Sequence, residues 1–293
     1  MAGILAPVLI YGTLFGCTYV LIALGFTLLF GVSKVLNVAY GALYMVTAYM
    51  IYWLAVELGV NLLVADIVGV AVAVAAGLAV FLFCVRFAPD PMRFLIVSLM
   101  VAFLLQYVFE YYFFGETGLI IHGILPIKEF FFYGVSVSPV YVVTAGVALG
   151  LLLLLWAWVE WTGYGRTIRA TAEDPETAAL FGIRVRSVYL VVVAVSSTLI
   201  ALAAVLIVPA QEVDPSMWVE PFIIAFVVAI IGGLGNFKWT LPAAFLLSFC
   251  QEFMAFEYPA SASVPDIVAF AVAIAFIIVL PRGFGGLRSG ATA

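Results

Sequence analysis

Asp174, Pro175 and Glu176 stand in the only long polar stretch of an otherwise apolar chain, YGRTIRATAEDPETAALFGIRVR, between Gly163 and Ser187. These residue types, so spaced, do recognition rather than bond-making. Asp174 is suited to cap a helix N-terminus, Pro175 to the first helical position, and Glu176 to the positive end of the helix dipole. Ala178, Ala179, Leu180 and Phe181 continue the pattern, and Gly182 can supply a left-handed C-cap. The predicted helix spans about 175–181. Two turns alone in water are marginal, so something must hold it. Either it packs on its own bundle or the headgroups, or it docks a cytosolic partner that delivers force. Arg166, Arg169, Arg184 and Arg186 flank it and would steer such a partner or meet anionic lipid.

A second set surrounds a break in apolar sequence. Lys34 and Asn37 interrupt two apolar runs, bracketed by Gly31 and Gly41, with Tyr40 and Tyr44 close behind. Such a break either makes a plain turn before a helix or exposes backbone groups that bind a solute or seal a gate. Asn37, Tyr40, Gly41 and Tyr44 are therefore candidates for a solute path, together with Gln106, whose other reading is a buried interhelical bond. The cluster Ile231-Gly232-Gly233-Leu234-Gly235-Asn236 opens a similar break with the same Gly-to-Asn ending, hinting at a distant internal repeat.

Reaction chemistry finds no support. There is no G-x-x-x-x-G-K-[ST] phosphate loop and no H-E-x-x-H. The single histidine, His122, has no Cys or His neighbours, and reads as a solvated loop residue. Asp66, Glu110, Glu160 and Glu252 lie toward the ends of apolar runs, where charges reach the interface at low cost. Cys17, Cys84 and Cys250 each lie in apolar sequence and read as buried small hydrophobes. No catalytic residue, metal site, cofactor or nucleic-acid partner is expected.

The elements that must position these residues are membrane helices. The 293-residue chain is 67% hydrophobic and 9% charged, far from the balance of a soluble domain. About 20 apolar residues cross the hydrocarbon core as a helix. A barrel would instead show short alternating segments. Expected spans are 5–31, 35–56, 62–85, 94–114, 138–160, 187–210, 221–236, 239–256 and 265–281. The short seventh and eighth are either full spans or a re-entrant pair. No Lys or Arg precedes Lys34, so the first run is read as a retained span rather than a cleaved signal. With the N-terminus outside, every basic residue except Lys128 faces the cytoplasm, while Glu57, Glu116, Glu129, Glu212, Asp214, Glu220, Glu257 and Asp266 face out. The expected class is an all-α polytopic transmembrane bundle of eight or nine segments, N-out and C-in, in one domain (1–293) with a cytoplasmic loop at 162–186. Gly12/Gly16 and Gly146/Gly150 are expected to allow close helix crossings. The aromatic stretch 111–138 reads as an interfacial apron or short helix that could receive a soluble partner.

Several blocks resemble the LivH-type permeases of branched-chain amino acid ABC importers. They are Asn37-x-Ala39-x-Gly41-x-x-Tyr44-Met45-x-x-Ala48-Tyr49, the loop Gly165-Arg166-x-x-Arg169-Ala170-x-x-x-Asp174-x-Glu176-x-Ala178-Ala179-Leu180-x-Gly182-Ile183, Gly232-Gly233-Leu234-Gly235, and Pro281-Arg282-Gly283-Phe284-Gly285. The similarity covers nearly the whole chain in order and spacing. It implies one half of a pore paired with a LivM-like permease, in a prokaryotic inner membrane. Two cytosolic ATPases would carry ATP and Mg, and an extracytoplasmic solute-binding protein would deliver the solute. Arg166, Arg169, Asp174, Glu176, Ala178, Ala179, Leu180 and Gly182 would then couple to the ATPases. Tyr40, Ala42 and Thr47 depart from the family's usual residues, and relatives carry urea or short amides. The implied cargo is thus a branched-chain amino acid or a similar small polar solute. The competing readings are a stand-alone secondary transporter or channel, and an integral-membrane enzyme whose convergent nucleophile or acid pair is not found.

Overall fold

A computed structural model describes residues 2–113, 119–120, 130–132, 135–257, 264–280 and 283–286. His122, Glu116, Lys128, Glu129, Arg282 and Arg288 lie outside the described residues. Helix α1 (Ala2–Ser33) is followed by α2 (Ala39–Tyr52), which runs on as a π-helical turn, Trp53–Glu57. Next come α3 (Leu62–Phe87), α4 (Pro91–Tyr112), α5 (Pro139–Trp161), α6 (Gly163–Glu173), α7 (Pro175–Leu180) and α8 (Val185–Ile207). The chain continues with α9 (Val219–Gly232), α10 (Phe237–Glu257), α11 (Val264–Val279) and the short α12 (Gly283–Gly286). Strands are minor. β1 (Leu119–Ile120) pairs antiparallel with β4 (Glu212–Val213), and β2 (Phe130–Phe132) with β3 (Val135–Val137). Of the aromatic stretch 111–138, residues 119–120, 130–132 and 135–137 form these strands, and 114–118, 121–129 and 133–134 lie outside the described residues.

Helix-former sequence and caps explain the boundaries. Asn61 Oδ1 accepts from the Leu63 amide at 2.9 Å to start α3, after Gly59 turns the chain at φ +64°. Pro91 opens α4, where its missing N–H costs nothing. Among the described residues, six helices are long and apolar enough to cross a membrane: Leu5–Ser33, Ala39–Glu57, Leu62–Phe87, Pro91–Tyr112, Pro139–Trp161 and Val185–Ala210. Their bounds fall close to the first six expected spans. The seventh and eighth expected spans, read as full spans or a re-entrant pair, form a bent pair of helices that is a broken span or a re-entrant loop. Helices α9 and α10 meet at a 119° bend, and α9, with 14 residues, is too short to cross alone. The bend follows from Gly233 (φ +90°) and Gly235 (φ +86°). The apolar part of α11, Ile267–Val279, is also short.

The chain folds as two compact units. One contains Met1–Thr27, Leu125–Leu152 and Ile223–Ala293. Here the small residues of α1 admit α10: a Cβ on Gly12 would lie 2.3 Å from the Phe249 ring, and one on Gly16 2.5 Å from Phe245. Ser248 Oγ donates to the Gly12 carbonyl at 2.9 Å, a polar contact that only this close approach allows. Among the described residues, Gly146 and Gly150 on α5 meet no neighbour within 4 Å. The expected close crossing at that pair is not made, because that face of α5 is exposed.

The other unit contains Leu28–Ile124 and Leu153–Phe222. Its core is α2, which is buried from Ala39 through Tyr49 and packs on α3, α4 and α8. Helix α2 carries no charged residue, so every face of it can be packed against its neighbours. Gly77 brings α3 onto α8, since a Cβ there would lie 2.2 Å from Ser197 Oγ. Buried hydroxyls are satisfied within their own helices: Thr47 donates to the Leu43 carbonyl and Ser196 to that of Val192, both at 2.8 Å. The cysteines are free, with Cys17 and Cys84 buried and Cys250 partly so.

Candidate functional site

The polar segment after α5 folds as two helices rather than one. Thr162 Oγ1 accepts from the Gly165 amide at 3.1 Å and starts α6. Gly165 is required there, because a Cβ would fall 1.9 Å from the Val159 carbonyl oxygen. This turn folds α6 tightly against the end of α5. Arg169 secures it, donating to the Val159 carbonyl at 2.6 Å and pairing with Glu160 at 3.1 Å. Arg169 is thus engaged within the chain, whereas Arg166 is exposed. Trp156 and Trp161 meet edge-on at 5.6 Å near the same turn, as tryptophans do where a span leaves the hydrocarbon.

Helix α7 forms as its punctuation predicts. Asp174 Oδ1 accepts from the amides of Glu176 and Thr177 at 3.0 and 3.2 Å, and Oδ2 accepts from the Thr177 hydroxyl. The Thr177 hydroxyl and amide, followed by the Glu176 amide, hold the Asp174 carboxyl below its ordinary range. At the other end Gly182 adopts φ +85°. Its amide donates to the Ala179 carbonyl at 3.0 Å and the Ile183 amide to that of Ala178 at 3.1 Å. This is the paired bonding of a Schellman motif. Ala178 is buried against the chain, while Ala179, Leu180 and Phe181 are exposed, Leu180 at 87% and Phe181 at 83%. Helix α7 packs on α6 and α8, which holds a helix too short to persist alone.

The pathway candidates gather around α2. Lys34 leaves α1 at φ +56°, a conformation rare outside glycine. Asn37 then lies buried at 4% exposure, and its Oδ1 has no hydrogen-bond partner. The Val38 amide beside it donates to Ser98 Oγ on α4 at 3.1 Å. Tyr40 and Tyr44 are buried on α2, and Tyr44 donates to Gln211 Oε1 at 3.3 Å. Gly41 packs on backbone, since a Cβ there would lie 2.6 Å from the Trp218 carbonyl oxygen. Gln106, part-buried on α4, accepts at 2.8 Å from Nε1 of Trp218, which lies in the turn before α9. Tyr40, Gly41 and Tyr44 thus lie on one buried helix with Asn37 just before it, and Gln106 is linked to Gly41 through Trp218.

The family described as branched-chain amino acid transport system / permease component matches residues 8–280. The chain belongs to that family. The LivH permease protein of the Escherichia coli K12 high-affinity branched-chain amino acid transport system is 26% identical over 94% of this chain and 93% of its own. The BraD permease protein of Pseudomonas aeruginosa is 28% identical over 95% and 94%. The probable LivH permease protein of Methanocaldococcus jannaschii is 27% identical over 97% and 92%. Among solved structures, PsaBC from Streptococcus pneumoniae in complex with Fab has the same fold, with a TM-score of 0.53 at 12% identity, covering 96% of this chain and 95% of that one.

Two features of this permease escaped the sequence reading. Helix α6 was signalled by Thr162 and Gly165 but masked by the stronger punctuation of α7. The C-terminal Gly283 (φ +60°) presses on the α9–α10 break, where a Cβ would lie 2.5 Å from the Gly233 amide nitrogen. The Phe284 ring lies tilted against Trp239, with 5.6 Å between ring centroids. Two glycine motifs far apart in sequence thus form one backbone contact.

Proposed function

We propose that this chain is the permease subunit of an ATP-binding cassette importer for branched-chain amino acids or similar small polar solutes. It forms half of the translocation path with a second, LivM-like permease. Cytosolic ATPases bind at the 162–186 segment, and an extracytoplasmic solute-binding protein delivers the cargo. The N-terminus lies outside and the C-terminus in the cytoplasm, as the skew of basic residues toward alternate loops favours.

The observation that carries this reading is α7, a doubly capped two-turn helix presenting Ala179, Leu180 and Phe181 outward from a segment of short polar helices. Exposed apolar side chains on such a helix suit insertion into a partner's groove. Movement of α7 passes to α6 and α8, on which it packs. Helix α8 in turn packs on α3, through Gly77 and Ser197, and on α2. Asn37 stands at the start of α2, so the same displacement alters its surroundings. A chain of packed, rigid elements of this kind can bias a two-state path.

The test is to purify the tagged chain in mild detergent from its native membrane and identify its companions by mass spectrometry. Two ATPases and a second permease are expected. Recovery of the chain alone, active for uptake in liposomes without ATP, would overturn the proposal.

A further inference from the structure

At the far end of α2 from Asn37, α-helical bonding gives way to the π-helical turn Trp53–Glu57. Such turns rotate the side chains that follow and recur at functional sites. Facing this turn is the last part of α4, and between them lies a cavity of about 370 Å³. Its wall includes Tyr49, Trp53, Phe109, Tyr112 and Phe113, and among the described residues Glu57 is the one charged side chain that lines it. The floor is fixed by packing. Tyr49 is buried and stacks on Phe109 at 4.9 Å and against Phe113 at 5.0 Å. The rim is open, with Trp53 41% and Tyr112 77% exposed. Glu57 is exposed and has no ion pair among the described residues.

Ring faces carry negative potential and attract cations, most of all tryptophan. A carboxylate adds countercharge, while among the described residues no Lys, Arg or His lines the cavity to repel a cation or attract an anion. Its size matches small-ligand sites. An ordinary interfacial aromatic belt sets single rings at headgroup level; here five rings and a carboxylate enclose one space. We propose that this cavity binds an alkylammonium group, carried either by a free amine or by an aminophospholipid headgroup. The assignment stands independently of the transport reading.

The full-length protein in nanodiscs tests it with two probes. In phosphatidylglycerol alone, isobutylamine is titrated against neutral isobutanol, and the Trp53 emission is taken as the difference between wild type and Trp53→Phe. In equal phosphatidylethanolamine and phosphatidylglycerol, native mass spectrometry reads which lipid stays bound. A free-amine site gives a saturable response to isobutylamine and none to isobutanol. A lipid site gives retention of phosphatidylethanolamine above its bulk share. In either case Glu57→Gln, an exposed change that leaves the fold intact, weakens the effect roughly tenfold, and Trp53→Leu weakens lipid retention as well. No response in both arms, or a response unchanged by Glu57→Gln, overturns the proposal.

Discussion

The Arg169 guanidinium reaches back ten residues to donate to the Val159 carbonyl at 2.6 Å. The acceptor belongs to the last turn of α5, where unpaired carbonyls gather and a cation is favoured by the helix dipole. The contact joins α5 to α6, and α6 carries α7. Arg169 therefore acts as a fastening between a membrane helix and the segment proposed to receive force. Replacing it by Ala should cost roughly 1–3 kcal/mol of stability, most of it from the bond to the Val159 carbonyl, because the pair with Glu160 is half-exposed and screened. Uptake should nevertheless fall several-fold while ATPase association persists. Uptake driven by reconstituted ATPase, measured beside co-purification, separates these effects. Equal uptake in wild type and Arg169→Ala would remove the fastening from the mechanism.

The two faces of α7 predict opposite kinds of failure. Leu180 and Ala179 are exposed, so Leu180→Asp or Ala179→Asp should abolish ATPase association while insertion and thermal stability stay within about 0.5 kcal/mol of wild type. Ala178 is buried, and Ala178→Asp should lower stability by roughly 1–3 kcal/mol, because an unpaired charge is placed among packed atoms. Co-purification of the ATPases and a melting curve on each variant check both outcomes. Full association by Leu180→Asp would count against α7 as the docking element.

Asp174 gives a pH signature. Its carboxyl is held below the ordinary value by the Thr177 hydroxyl and the Thr177 and Glu176 amides. A depressed folded-state value means the cap is fully in force above the unfolded range, near about 4. It is lost as pH falls through the folded-state value. Amide exchange at Glu176 and Thr177, corrected for intrinsic rates, should therefore be flat from neutral pH to about 4 and accelerate only below it. Asp174→Asn keeps an acceptor and should remove the acid step, whereas Asp174→Ala should exchange faster at every pH.

Much of this was legible in the sequence because its signals are local. Asp174, Pro175 and Gly182 specify α7 through bonds within a few residues, and an apolar run between polar breaks specifies a span. Non-local contacts left weaker traces. Nothing in the spacing of Gly233 and Gly283 states that their backbones meet, and Gly146 and Gly150 carry the same spacing as Gly12 and Gly16 without a neighbour among the described residues. The arginines of 162–186 looked alike as a charged cluster; only the fold distinguishes Arg169, which bonds inward, from exposed Arg166. Gly41 reads equally as a pathway or packing residue until the Trp218 carbonyl is seen beside it.

That contact makes Gly41→Ala informative. The added methyl would lie 2.6 Å from the Trp218 carbonyl oxygen and 2.7 Å from Phe222 Cβ, and backbone yields less readily than a side-chain tip. A loss of about 1–3 kcal/mol is expected, as for overpacking of a close-packed core. Thermal unfolding in detergent measures it. An unchanged melting temperature with altered solute preference would instead return Gly41 to the solute path.

Asn37 and Asn236 occupy equivalent places before α2 and α10, each accepting on its own carbonyl from the amide three residues on, at 3.3 Å. Their side chains differ. Asn236 Oδ1 accepts from the Lys238 amide at 3.3 Å, whereas Asn37 Oδ1 is buried without a partner. An unpaired buried acceptor costs about 1–3 kcal/mol, so a residue kept only for the turn would be better replaced by an apolar one. Asn37→Leu should therefore leave stability unchanged or raise it, while reducing uptake at least roughly tenfold, the loss of one hydrogen bond from a solute N–H donor. ATPase association should be unaffected. Melting curves, co-purification and uptake measured on this one variant decide the matter. Normal uptake by Asn37→Leu would reduce the residue to a turn, and a large fall in stability would show that its Oδ1 has a structural partner.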